Sequence, residues 1–109
     1  MKNIKKIDLK IINADTSFKK YLGLMFKIKK INYGMLFENV SSIHTFFMFQ
    51  KIDVLQLDKE MNVKYIYNSL KPYKIILPNN DVYYTLELPS GYIKENKINI
   101  NDKITYKLN

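Results

Sequence analysis

The sequence predicts a mainly β (α+β) fold, a small β-barrel-like or sandwich domain of about seven to eight short strands with two short helices, at about 16–22 and 90–96. Three observations predict it. From Gly34 onward, short runs of β-branched and aromatic residues alternate with polar punctuation. Helical spacing is confined to two brief stretches, each preceded by residues that cap helices. The 109 residues, 47% of them apolar, are expected to form one domain over 1–109, large enough to bury a core without staples.

The elements follow in order. Ile4, Ile7, Leu9 and Ile11 alternate loosely with lysines and predict a first strand over 4–12. Asp15-Thr16-Ser17 offers N-caps for Phe18, Tyr21 and Leu22 at helical spacing. Gly23 then stands where a helix wants a left-handed terminating residue, which sets the first helix at about 16–22. Strands are predicted over 35–37, 44–49, 54–57, 63–67, 75–77 and 82–88, with turns at 59–62 and 78–81. Ser90 is placed to cap the second helix, which ends near Asn96, and a last strand covers 103–108.

The formal charge of +8 comes from 18 basic and 10 acidic residues, and every basic one is lysine. Arg, Cys and Trp are absent, which excludes disulfides, thiolate zinc sites and cysteine nucleophiles. The abundance of Lys, Ile and Asn is what an AT-rich coding sequence produces, so part of the charge reflects coding bias. Arginine, the usual reader of guanine edges and phosphates, is missing, and the lysines are scattered. Nucleic acid is therefore the disfavoured partner, and a Lys-driven, non-specific nucleic-acid binder is the second alternative. The basic start Lys2–Lys6 leads into an apolar run broken by Asp8 and Lys10, and no window approaches a membrane span. The expected location is cytoplasmic.

One ordered set of residues carries a family likeness. It begins with Ala14-Asp15-Thr16, Gly23-Leu24-Met25-Phe26 and Gly34-Met35-Leu36-Phe37. It continues through Ile43-His44-Thr45, Met48, Ile52-Asp53-Val54, Leu57-Asp58, Leu70 and Pro72, then Leu86-Glu87-Leu88-Pro89-Ser90-Gly91, Ile98 and Asp102. In this the chain resembles the family named domain of unknown function 192. The resemblance covers about 90 residues and implies a small β-rich domain with short helices. It brings no established activity.

Two departures from the family pattern stand out. Where the family reads His-Thr-Phe-Gly-Met-Arg-Phe-Pro-Ile-Asp, this chain reads His44-Thr45-Phe46-Phe47-Met48-Phe49-Gln50-Lys51-Ile52-Asp53. On a strand, Phe47 and Phe49 would share the face that relatives leave small and charged, forming an apolar patch for a partner. The family's glycines at the end of the last helix and before the late Asp are here Asn96 and Asn101, both expected at φ > 0.

His44 is the lone histidine, so a catalytic reading can begin only there, with Asp53 as its carboxylate. The structural alternative has His44 and Thr45 satisfying backbone groups and Asp53 closing a turn. With one His and no Cys, no metal site is expected. Glu87 is expected to pair with a lysine or cap the helix that follows. Tyr65, Tyr67 and Tyr83-Tyr84 are read as ordinary strand residues before stacking platforms. The leading expectation is a non-catalytic binding or accessory module without cofactor. Its surface comprises His44, Thr45, Phe47, Met48, Phe49 and Asp53, and its partner is a small molecule or a protein. The alternative is a hydrolase-type enzyme centred on His44 and Asp53.

Overall fold

The computed structural model describes residues 3–14, 27–46 and 48–108. The helix expected at 16–22 and Phe47 lie outside the described residues. Eight strands are present among those described: β1 (Ile4–Asn13), β2 (Gly34–Glu38), β3 (Ile43–His44), β4 (Ile52–Leu57), β5 (Val63–Leu70), β6 (Ile75–Ile76), β7 (Tyr84–Pro89) and β8 (Lys103–Leu108). One helical turn, α1 (Tyr92–Glu95), follows β7.

Six strands form one sheet in the order β5-β4-β7-β2-β1-β8. Pairing is antiparallel from β5 to β2 and parallel from β2 through β1 to β8. The sheet curls into a half-barrel whose two edges meet at one end. There Val63 N donates to Asp102 O, Asn101 N to Val63 O and Ile104 N to Met61 O. These bonds occupy backbone groups that an open edge would leave unpaired.

Side-chain alternation divides the core into two faces. Leu55, Leu57, Leu86, Leu88, Ile7, Ile11 and Leu36 point into the curl, where Ile93 of α1 and Ile98 close it. Ile52, Val54, Met35 and Phe37 point to the outer face, which Ile31, Met48 and Ile76 cover. The sheet's central strands are thus buried on both sides. That is why β4 is buried at every position, Asp53 and Gln56 included, rather than at alternate ones. Gly34 marks a close approach: a Cβ there would lie 2.8 Å from Ile11 Cδ1 and 3.0 Å from Leu88 Cδ2.

Several expectations need correction. The strand expected over 44–49 does not continue through its described residues: β3 stops at His44, and β4 begins only at Ile52. Thr45 explains the break. Its N–H and hydroxyl bond to the loop after β5 instead of a neighbouring ladder: Thr45 N donates to Lys74 O at 2.8 Å, and Thr45 Oγ1 to Lys71 O at 2.7 Å. Asn101 has the expected left-handed backbone, φ 74°, but Asn96 has φ −99°. The left-handed residue that terminates α1 is Lys97, φ 53°, one position later.

Candidate functional site

The covering layer over the outer face is built from three segments, 27–33, 40–51 and 71–77. Polar side chains fasten each to the sheet or to one another. Gln56 Nε2 donates to Ser41 O at 2.9 Å, and Thr85 Oγ1 donates to Val40 O at 2.7 Å. Gln50 Nε2 donates to the carbonyls of Lys27 and Lys29, while its Oε1 accepts from Ile31 N. Thr45 is the third clamp: its Oγ1 also accepts from Lys74 N, and its carbonyl accepts from Tyr73 N and Met48 N.

These clamps place a chain of rings on the surface. His44 and Ile75 are register partners across β3 and β6, so their side chains share one face, and both are exposed. The Phe46 ring lies 5.1 Å from His44 and 6.3 Å from Tyr73. Tyr73 is 67% exposed and Ile75 60%, whereas an ordinary strand residue facing a core would be near zero. His44 Nδ1 accepts from Phe46 N at 3.3 Å, which holds the imidazole against this turn.

The residues singled out in the sequence fall in two groups. His44 and Phe49 face solvent, Phe49 at 55% exposure. Thr45, Met48 and Asp53 are buried. Asp53 lies on the inner face, two residues before Leu55, and its carboxylate collects three backbone donors. Oδ1 accepts from Ser69 N at 2.8 Å; Oδ2 accepts from Gly91 N at 3.1 Å and Ile93 N at 2.9 Å. Ser69 and Gly91 have φ 49° and 93°, so the carboxylate pins two left-handed positions and supplies the first turn of α1 with acceptors. Ser90 makes no cap; its hydroxyl meets that of Ser69 at 2.6 Å. No hydrogen bond joins His44 to Asp53.

Among the described residues Glu87 pairs with no lysine, and it does not cap α1. It lies between Met35 and Val54 on the outer face, 6% exposed, and its Oε1 has no hydrogen-bond partner. Burial pushes its pKa up to about 7. Gln56 Oε1, on the same face, is likewise unpartnered. Asp58 does the turn work that the sequence assigned to 59–62: its carboxylate accepts from Glu60 N and Asn62 N, with Met61 left-handed at φ 68°. Among the described residues, no three of His, Asp or Glu gather where they could hold a metal ion.

Tyr73 and Ile75 belong to the surface although nothing local in the sequence marked them. The available signal was Tyr73 and the apolar run 75–77 set beside Lys71 and Lys74, of which 75–77 reads as a strand when taken alone.

Comparison with known proteins agrees with this architecture. A UPF0127 protein of Pyrococcus horikoshii is 37% identical over 99 residues, covering 85% of this chain and 84% of the relative. A UPF0127 protein of Thermococcus sibiricus is 35% identical; the match covers 87% of this chain and 64% of that relative. The crystal structure of a protein of unknown function from Novosphingobium aromaticivorans has the same fold, with a TM-score of 0.74 at 21% identity. That match covers 85% of this chain and 71% of the other. The family model DUF192, described as uncharacterised ACR, matches residues 1–106, and the chain belongs to that family.

Proposed function

We propose that the protein is a non-catalytic binding or accessory module that engages its partner through the surface around His44, Phe46, Phe49, Tyr73 and Ile75. The observation that carries this reading is the continuous, exposed ring chain His44–Phe46–Tyr73 with Ile75 beside it. Monomeric surfaces scatter single apolar side chains, but contiguous ones mark contact sites. Gln56 and Thr85 tie this surface to the sheet, and the clamps at Thr45 and Gln50 join its segments to one another, which lowers the ordering cost of binding. A cytoplasmic location, with one domain over the whole chain, is part of the same proposal. Among the described residues, no helix is long and apolar enough to cross a membrane.

What speaks against a hydrolase at His44 and Asp53 is the use of the groups it would need. Both Asp53 oxygens are engaged by backbone N–H groups, and among the described residues no carboxylate bonds the imidazole. What speaks against nucleic acid is the setting of the tyrosines. The Tyr65 hydroxyl is 3.2 Å from both oxygens of Asp81, a charge that repels phosphate.

The test compares affinity capture by wild type and by Phe46→Asp and Phe49→Arg variants, each checked for unchanged thermal stability. Partners retained by wild type and lost by both variants are the expected result. An unchanged set of partners would overturn the reading.

A further inference from the structure

The layer that carries the ring chain differs from the rest of the molecule in charge as well as in apolar exposure. Residues 27–33, 43–51 and 71–77 include no Asp or Glu. They carry Lys27, Lys29, Lys30, Lys51, Lys71 and Lys74, all exposed. The same segments hold Ile28, Phe46, Phe49, Tyr73, Ile75 and Leu77 as exposed large apolar side chains. Among the described residues, only Ile4 and Ile100 are comparably exposed elsewhere. Asp58, Glu60 and Asp81 gather instead with Lys59 and Lys64 around a separate cleft at the turn between β4 and β5.

The segments act as one layer because their backbones are joined. Thr45 binds the 71–74 loop, Gln50 binds 27–31, and the turn at 45–48 links the two. The joined segments therefore carry exposed apolar side chains and exposed lysines together, with no Asp or Glu among their own residues. Lysine stems are long enough to carry the ammonium to an anionic plane while neighbouring apolar side chains pass below it. A bilayer interface with anionic lipids presents that combination: phosphates outermost and acyl chains beneath. A folded protein partner would have to offer apolar and acidic groups mixed over the same area.

We infer that this face docks on the surface of an anionic lipid bilayer, with Tyr73, Ile75 and Leu77 entering the headgroup region and the six lysines at phosphate level. The inference rests on reading the ring chain as a binding surface and names what it binds. Each lysine at the interface strengthens partitioning by about fivefold, and added salt weakens the electrostatic part.

The experiment is co-sedimentation of the full chain with vesicles of phosphatidylcholine alone and of equal parts phosphatidylcholine and phosphatidylserine. Wild type is expected to sediment with the mixed vesicles only, and less at high salt. The double variant Tyr73→Asp, Ile75→Asp and the double variant Lys71→Glu, Lys74→Glu should each lose at least tenfold. Lys94→Glu, on the exposed side of α1, should change binding far less. Because the chain has no Trp, Tyr73→Trp provides an independent probe at an exposed position. Its emission should shift to the blue on mixed vesicles.

Absence of wild-type binding, an unshifted emission, or an equal loss with Lys94→Glu would overturn the inference. If vesicle binding fails while Phe46→Asp and Phe49→Arg still lose a captured protein, the binding-module reading stands and the lipid falls. If neither assay responds to the surface variants, both fall.

Discussion

Replacing the Glu87 carboxyl, in Glu87→Gln, is expected to flatten the dependence of folding stability on pH. The side chain lies between Met35 and Val54 with Oε1 unpartnered, and burial raises its pKa from 4.5 to about 7. The folded state therefore holds this proton more tightly than the unfolded chain does. Below about pH 4.5 both states are protonated and the full stability is present; it is lost as pH rises through the folded value near 7. The interval between the two values corresponds to about 3 kcal/mol, or a fall of roughly 10–20 °C in Tm for a domain of this size. Asp58 works in another window. Burial pushes its carboxyl up, but hydrogen bonds from Asn62 and Glu60 and the nearby Lys64 outweigh this and hold it below its ordinary value. Its contribution is present above the unfolded value of 3.8 and lost as pH falls through the lower folded one. Urea unfolding followed by far-ultraviolet circular dichroism, for wild type and Glu87→Gln between about pH 4 and pH 9, isolates the Glu87 term. The buried amide adds an offset of about 1–3 kcal/mol against the variant at every pH, so the slope is the readout. Parallel profiles would refute the reasoning, because they would mean that Glu87 ionises as freely in the folded protein as in the unfolded chain.

Two further predictions concern backbone positions held by side chains. Asp53→Ala leaves the N–H groups of Ser69, Gly91 and Ile93 without their acceptor. It should cost about 3–5 kcal/mol in urea unfolding, with Asp53→Asn costing less; a loss below about 1 kcal/mol would contradict the structural role given to this carboxylate. Lys97→Gly should raise stability by up to about 1 kcal/mol, because glycine adopts φ 53° without the penalty a side chain meets. Asn96→Gly, at φ −99°, should not; a larger gain at 96 than at 97 in thermal melts would place the terminator wrongly.

The strands were legible wherever composition and ladder coincide. The run 54–57, mostly aliphatic, was expected as a strand and lies within β4, which is paired on both sides and begins two residues earlier, at Ile52. The run 44–49 is rich in aromatic residues, yet among its described residues only His44 joins a ladder. Phe46 and Phe49 turn outward, and Thr45 spends its hydrogen bonds on Lys71 and Lys74, residues far away in the chain. Composition records what a side chain prefers to face, whereas pairing depends on which backbone arrives beside it. Asn96 shows the same limit at a smaller scale, since the left-handed terminating residue is Lys97, one position after the asparagine.

By itself the sequence determined the fold class, the absence of thiol chemistry and the ordered residues that mark the family, because these follow from composition and local pattern. Tertiary structure decided the surface. Tyr73 and Ile75 join His44 and Phe46 only because β6 pairs with β3 across about thirty residues of chain. It also decided the carboxylates: Asp53 met three backbone donors on the inner face, while Glu87, on a neighbouring strand, was buried on the outer face with Oε1 unpartnered. Burial with or without partners depends on both faces of the sheet being covered, and no single strand carries that information.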